Sequence, residues 1–198
     1  VTRRIIASLL VALSLSSPAM AQKRIVKVEL SIEGRGQVML DLYPTEAPKT
    51  VEHIVNLCKS KFYDGILVHR VEPGFVVQAG DPQTKRLKPS ELASMSDAKK
   101  AELRIGAGGS GKTIPFEKNS LTHVPGTIAM ALSAPRSATG DSQWFINLES
   151  NHQLDGDYCV FGKVTKGMDV VRKIRVGDRI KFMRVVDTPT APRKTKSL

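Results

Sequence analysis

The chain has 198 residues and a formal net charge of +11, with 41% apolar and only 5% aromatic residues. That length is enough for one domain with a full core. The positive charge is spread along the chain without a base-stacking motif, which argues against a nucleic-acid binder and for a solvated basic face.

Residues 1–21, "VTRRIIASLLVALSLSSPAMA", carry Arg3 and Arg4, then an apolar run, then Ala19-Met20-Ala21. This is the layout of a secretory signal peptide with an A-x-A cleavage site. The apolar run from Ile5 to Leu15 is short for a membrane span, so no stable membrane anchor is expected. Cleavage near Ala21 would leave a periplasmic or secreted protein beginning at Gln22. Losing two arginines and no acid would take the charge from +11 to +9.

The mature chain then alternates. In "IVKVELSI" Val26, Val28, Leu30 and Ile32 share one face, and "QVMLDLY" alternates through Val38, Leu40 and Leu42. Two such runs around "EGRG" predict a β-hairpin. In "EAPKTVEHIVNLCKSKFY" the period changes: Val51, Ile54, Val55 and Cys58 form one helical stripe, with Pro48 in the first turn. "ILVHRV" and "GFVVQAG" return to strand character. Residues 85–105 are polar and charged, an extended surface insertion with a short helix beginning after Ser90. "GTIAMAL", "QWFINL" and "DYCVFGKV" are three further strands, "GMDVVRKI" a short helix and "RIKFMRVVD" a last strand. The domain spans 22–187, and residues 188–198 read as a disordered tail. Short strands with two distant helices and no βαβ alternation fit an antiparallel barrel or sandwich with helices over its ends.

Two cysteines, Cys58 and Cys159, would permit one disulfide in an oxidising compartment. Each lies inside an apolar pattern, which favours two separate buried thiols. The four histidines lack metal-ligand spacing, so no metal is expected. The stretch "GAGGSGKT", Gly106 to Thr113, fits the phosphate-loop pattern at every fixed position. Its context does not fit. No apolar strand precedes it, and Pro115 and Asn119 interrupt the helix that should follow.

What stands out chemically is a set of apolar and amide side chains around one arginine. "FYDGILVHRVEPGFVVQAGDP" supplies Arg70, Phe75 and Gln78. "PGTIAMA" supplies Met130 and Ala131, "GDSQWFINL" supplies Gln143 and Phe145, and "LDGDYCVFGKV" supplies Leu154 and Tyr158. From spacing alone, Arg70 reads better as a surface arginine in a salt bridge, and Phe75, Met130, Phe145 and Leu154 as barrel core. These blocks, in this order, resemble the cyclophilins, the cyclosporin-binding peptidyl-prolyl cis-trans isomerases. "VHRVEPGFVVQAGD" is similar to the family's "FHR-x-x-x-GF-x-x-QGGD", "DSQWFI" to "GSQFFI", and "LDGDYCVFGKVTKGM" to "LDG-x-x-x-VFG-x-V-x-x-GM". "GAGGSGKTIPFE" looks like the glycine-rich loop that bacterial members carry beside the binding groove. The likeness runs from about Ile25 to Asp187.

The resemblance implies a mainly β fold, a closed eight-stranded antiparallel β-barrel capped by two α-helices. It implies catalysis of rotation about X-Pro bonds by a monomer that needs no cofactor. The partners would be proline-containing polypeptides, here exported proteins during folding. Arg70, Gln78 and Phe75 would be the catalytic residues, and Met130, Phe145 and Leu154 would complete the proline pocket with Phe75. Ala131 would bind the peptide preceding proline through its backbone, and Gln143 and Tyr158 would also contact substrate. His69 would line the groove or buttress the barrel wall. The chain departs from the family at Gln153, where many members place a groove-edge Trp, at Leu132, where several have Asn, and in the longer 85–105 segment. A proline-peptide binding module that keeps the groove but turns over poorly is the alternative.

Overall fold

A computed structural model describes residues 24–186, so the predicted signal peptide, its cleavage site and the tail after Asp187 lie outside the described residues. Strands β1 (Val26–Ile32) and β2 (Gly36–Leu42) form the expected hairpin, with Val28 opposite Leu40 and Leu30 opposite Val38. All four side chains are fully buried, as the period-two pattern requires. Helix α1 (Pro48–Lys59) buries Val51, Ile54 and Cys58, and its stripe is widened by His53 and Leu57. Its N-cap residue, Ala47, has no side chain to cap with. Glu117 does that work from 67 residues away: its carboxylate accepts from the amide of Lys49 at 3.0 Å and from the amide and hydroxyl of Thr50 at 2.7 Å each. A carboxylate at this helix end also complements the dipole.

Six more strands follow: β3 (Arg70–Glu72), β4 (Val76–Ala79), β5 (Thr127–Met130), β6 (Trp144–Asn147), β7 (Val160–Lys166) and β8 (Ile180–Val186). They form one antiparallel sheet in the order β3-β4-β6-β5-β7-β2-β1-β8. The sheet curls around a core whose largest fully buried side chains include Trp144, Tyr63 and Phe161. Helix α1 packs against β8, and the short helix α4 (Met168–Lys173) against β2.

Two expectations need correction. The barrel is not closed by a strand ladder: β3 and β8 stand at opposite ends of the sheet order and do not pair. β3 is only three residues long and cannot reach along β8. The irregular backbone before it stitches the seam instead. Gly65 N–H donates to Ile180 O, Ile180 N–H to Ile66 O, and Val68 N–H to Asp178 O, each at 2.8 Å. The second correction concerns helices. Two more, α2 (Pro89–Ser94) and α3 (Asp97–Glu102), lie in the 85–105 segment. This segment has its own small core, in which Leu87 and Leu92 pack with Leu67, backed by Met95, Ile105 and Val176. Cys58 and Cys159 are free and buried. Burial pushes their thiols up to about 12 and about 11, which leaves both inert as nucleophiles.

Candidate active site

The candidate site lies on the outer face of the sheet. Cross-strand pairing lines up Arg70 with Gln78, Gln78 with Phe145, Phe145 with Ala129, and Ala129 with Val160, a row across five strands. Their chain neighbours Val77, Ile146 and Ile128 point the other way, into the core. Above this row, Phe75, Ala131, Leu154 and Tyr158 pack against buried Val76, Phe145 and Val160. Together they bound a cavity of about 210 Å³ lined by Arg70, Phe75, Val76, Gln78, Ala131, Leu132, Phe145, Leu154 and Tyr158.

Backbone hydrogen bonds fix the walls. Gly74, at φ +74, turns the chain between β3 and β4, a conformation open to glycine. The carbonyl of Phe75 then accepts from Leu148 N–H at 2.8 Å and from Asn151 Nδ2 at 3.1 Å. On the opposite wall, Asp155 accepts from the His123 amide at 2.7 Å and lies 3.0 Å from its Nδ1. The His123 ring stacks against Phe145, with centroids 5.8 Å apart and planes 16° off parallel. Burial lowers the pKa of His123, and Asp155 offsets part of that. The Tyr158 ring meets Phe145 edge-on at 5.9 Å.

One chain of hydrogen bonds sets the polar rim. Gln143 Nε2 donates to the carbonyls of Gly106 at 2.9 Å and Gly108 at 2.8 Å. Its donors are thereby used, so Oε1 must accept, and it does so from Gln78 Nε2 at 3.0 Å. Gln78 consequently turns its own Oε1 to Arg70 Nη1, also at 3.0 Å. The guanidinium sits 5.6 Å above the Phe75 ring centroid. The glycine-rich loop therefore anchors the amide chain. It is no phosphate cradle: the amides of Ser110 and Gly111 donate to the Asp141 carboxylate at 2.9 and 3.0 Å, and the Ser110 hydroxyl bonds the same group. A carboxylate already holds the donors an anion would need. No helix opens at Thr113, and residues 113–124 are not helical.

Comparison with known proteins identifies this arrangement. A family model described as cyclophilin type peptidyl-prolyl cis-trans isomerase/CLD matches residues 26–194. The chain belongs to the cyclophilin-type peptidyl-prolyl cis-trans isomerases. It is accordingly an enzyme of that isomerase class. It is 37% identical to a peptidyl-prolyl cis-trans isomerase of Synechococcus elongatus, over 77% of this chain and 91% of the relative. It is 36% identical to peptidyl-prolyl cis-trans isomerase B of Bacillus subtilis, over 78% and 94%. Among solved structures, a cyclophilin type isomerase of Cryptosporidium parvum superposes with a TM-score of 0.68 at 23% identity. It covers 84% of this chain and all of that one, a likeness of fold.

This cyclophilin brings most of the sequence-predicted residues to one place. Arg70, Phe75, Gln78, Ala131, Phe145, Leu154 and Tyr158 all line the 210 Å³ cavity. Gln143 borders an adjoining cavity of about 400 Å³ beside the glycine-rich loop, and reaches the first through Gln78. Met130 does not line the groove. It belongs to the interior core at 2% exposure. Ala131 is its neighbour in the chain, and the structure turns the two to opposite sides of the sheet. His69 faces neither. It is buried and borders a third cavity of about 480 Å³, shared with Arg70, Gln78 and α3. Val76 and Leu132 line the groove but were not among the predicted residues. Val76 was accessible to sequence reasoning, since it stands two positions from Gln78 on one strand face. Among the described residues, no cluster of three His, Cys, Asp or Glu side chains could hold a metal.

Proposed function

We propose that this cyclophilin catalyses X-Pro rotation with Arg70 as the donor to the twisted amide, and that it serves proteins folding after export. Amide resonance sets a rotational barrier of ~20 kcal/mol. At the twisted transition state the resonance is lost, and the proline nitrogen becomes pyramidal and able to accept a hydrogen bond. A donor aimed there stabilises the transition state and not the planar ground state. Arginine suits the task because its charge is permanent and its donors form a rigid fork. The observation that carries the reading is the placement of Arg70. Its guanidinium stands at the rim of a cavity of about 210 Å³ walled by Phe75, Val76, Phe145 and Leu154, and is held from behind by the Gln78–Gln143 amide chain.

Phe75, Val76, Phe145 and Leu154 hold the proline ring in this reading, and Ala131 lies beside the preceding residue. A related structure of the Cryptosporidium parvum isomerase was determined in the presence of the dipeptide Ala-Pro, which supports a proline-containing ligand for the shared fold. The service to exported proteins rests on the Arg3-Arg4 start, the apolar run and the Ala19-Met20-Ala21 site.

The test is a protease-coupled isomerisation assay on an X-Pro peptide. Arg70→Ala should lower kcat/KM by on the order of 10²-fold, the loss of one transition-state donor. Arg70→Lys should restore little, because a point ammonium lacks the fork. Near-normal turnover by a folded Arg70→Ala protein would remove Arg70 from the mechanism. Retained peptide affinity in a wild-type protein without turnover would favour the binding-module alternative.

A further inference from the structure

Arg70 has a second partner that the amide chain does not explain. Glu72 stands two residues along β3, on the same face of the strand. Its Oε1 accepts from Arg70 Nε at 2.8 Å and lies 2.6 Å from Nη2. One oxygen thus takes the side edge of the guanidinium while Gln78 takes Nη1. Of the five N–H groups on an arginine, one on Nε and one on Nη1 are engaged by hydrogen bonds, and Nη2 is drawn to the same Glu72 oxygen as an ion pair, which leaves the far side of each terminal nitrogen open. A planar group held at only one nitrogen can still swing about that bond. Held at two edges it cannot, and its two remaining donors keep one direction.

We propose that Glu72 is a positioning residue that locks the Arg70 fork for catalysis. This rests on the reading of Arg70 as the donor. Both side chains are well exposed, at 41% for Arg70 and 51% for Glu72. Exposed ion pairs contribute little to stability, so the pair has little value as a fold-stabilising contact. The adjacent Pro73-Gly74 turn fixes the backbone without it, through Phe75 N–H to Glu72 O at 3.0 Å. The carboxylate also withdraws some positive potential from Arg70. Water screens that long-range effect at this exposure, while the loss of a defined donor direction is not screened.

The assay compares wild type, Glu72→Ala, Glu72→Gln and Glu72→Asp, each with and without Arg70→Ala. Glu72→Ala should lower kcat about tenfold with KM nearly unchanged, the signature of a misdirected transition-state donor. Glu72→Gln, which keeps an acceptor oxygen, should recover part of the loss, and Glu72→Asp, whose shorter arm cannot reach both nitrogens, should recover less. Melting temperatures should agree across the set. In the Arg70→Ala background every residue at position 72 should give the same residual rate, which a merely structural role would not produce. Glu72→Ala turnover within twofold of wild type, or faster than it, overturns the inference while leaving Arg70 as donor intact. A folded Arg70→Ala protein with normal turnover overturns both.

Discussion

His69 is buried beneath Gly106, and neither ring nitrogen has a hydrogen-bond partner among the described residues. Burial pushes its pKa down to about 4. Asp81 opposes the shift, while Arg70 and Lys100 add to it. The folded protein therefore keeps this imidazole neutral where the unfolded chain, at about 6.5, begins to bind a proton. The folded value is depressed, so the contribution to stability is complete above pH 6.5 and is lost as pH falls towards 4. Its full size is on the order of 3 kcal/mol. Urea denaturation at pH 7 and pH 4.5 should show wild type losing markedly more stability than His69→Phe. Parallel losses in the two proteins would show that His69 finds a partner when protonated.

Gln153 carries the second residue-scale prediction. The side chain is exposed beside Leu154 at the edge of the groove. Where many cyclophilins offer an indole there, this chain offers an amide with far less apolar area. An aromatic ring contributes ~1.5–3 kcal/mol on burial, so cyclosporin should bind roughly 10- to 150-fold more weakly than to a Trp-bearing site. Gln153→Trp should gain sensitivity in an inhibition titration, with turnover little changed. Tight inhibition of the unmodified protein would show a groove edge of a different make. Most groove residues were legible because the blocks around Arg70 and Phe145 are dense in family-matching positions. Met130 was misplaced because matching a block identifies a segment, while a strand then divides that segment between two faces. The Glu72 contact was hidden for another reason: an exposed carboxylate near an arginine has no pattern in sequence that separates it from any other surface acid.

At the scale of elements, the 85–105 segment changes character most between sequence and structure. Its polarity predicts a surface excursion with one short helix. Two six-residue helices form, and three buried leucines, one of them Leu67 from the chain before β3, tie α2 to the barrel seam, while α3 buries no residue of its own. The apolar residues of this small core are scattered over distant parts of the chain, so no local period announces it. Ser96 before Asp97 is an N-cap residue, and its hydroxyl accepts from the Lys99 amide. Leu92 is completely buried, and its truncation should leave a void that these short helices cannot close. Leu92→Ala should therefore cost about 2–4 kcal/mol in urea denaturation, within the range for large-to-small core changes. Hydrogen exchange should show the loss concentrated at residues 85–105 and at the 65–68 seam. A cost below about 0.5 kcal/mol, the level of an ordinary surface substitution, would mean that the segment folds independently of that contact.

For the whole molecule, the strand and helix periods were enough to indicate an antiparallel barrel or sandwich, and the resemblance chose the barrel. The open seam was out of reach, since it depends on β3 being three residues long and on irregular backbone taking over its pairing. The same topology bears on export. β1 is an inner strand, paired on one side with β2 and on the other with β8, and its ladder begins at Val26 and Lys27. Cleavage after Ala21 would leave Gln22 to Ile25 ahead of that ladder and remove none of its hydrogen bonds. It would remove the two leading arginines and the apolar run that follows them. Processing should therefore leave melting temperature and isomerase activity unchanged between the full chain and the form beginning at Gln22. N-terminal sequencing of protein recovered from the cell envelope or medium should begin at Gln22. Recovery of the uncleaved chain from the cytoplasm alone, or a Gln22 form that melts well below the full chain, would contradict the assignment.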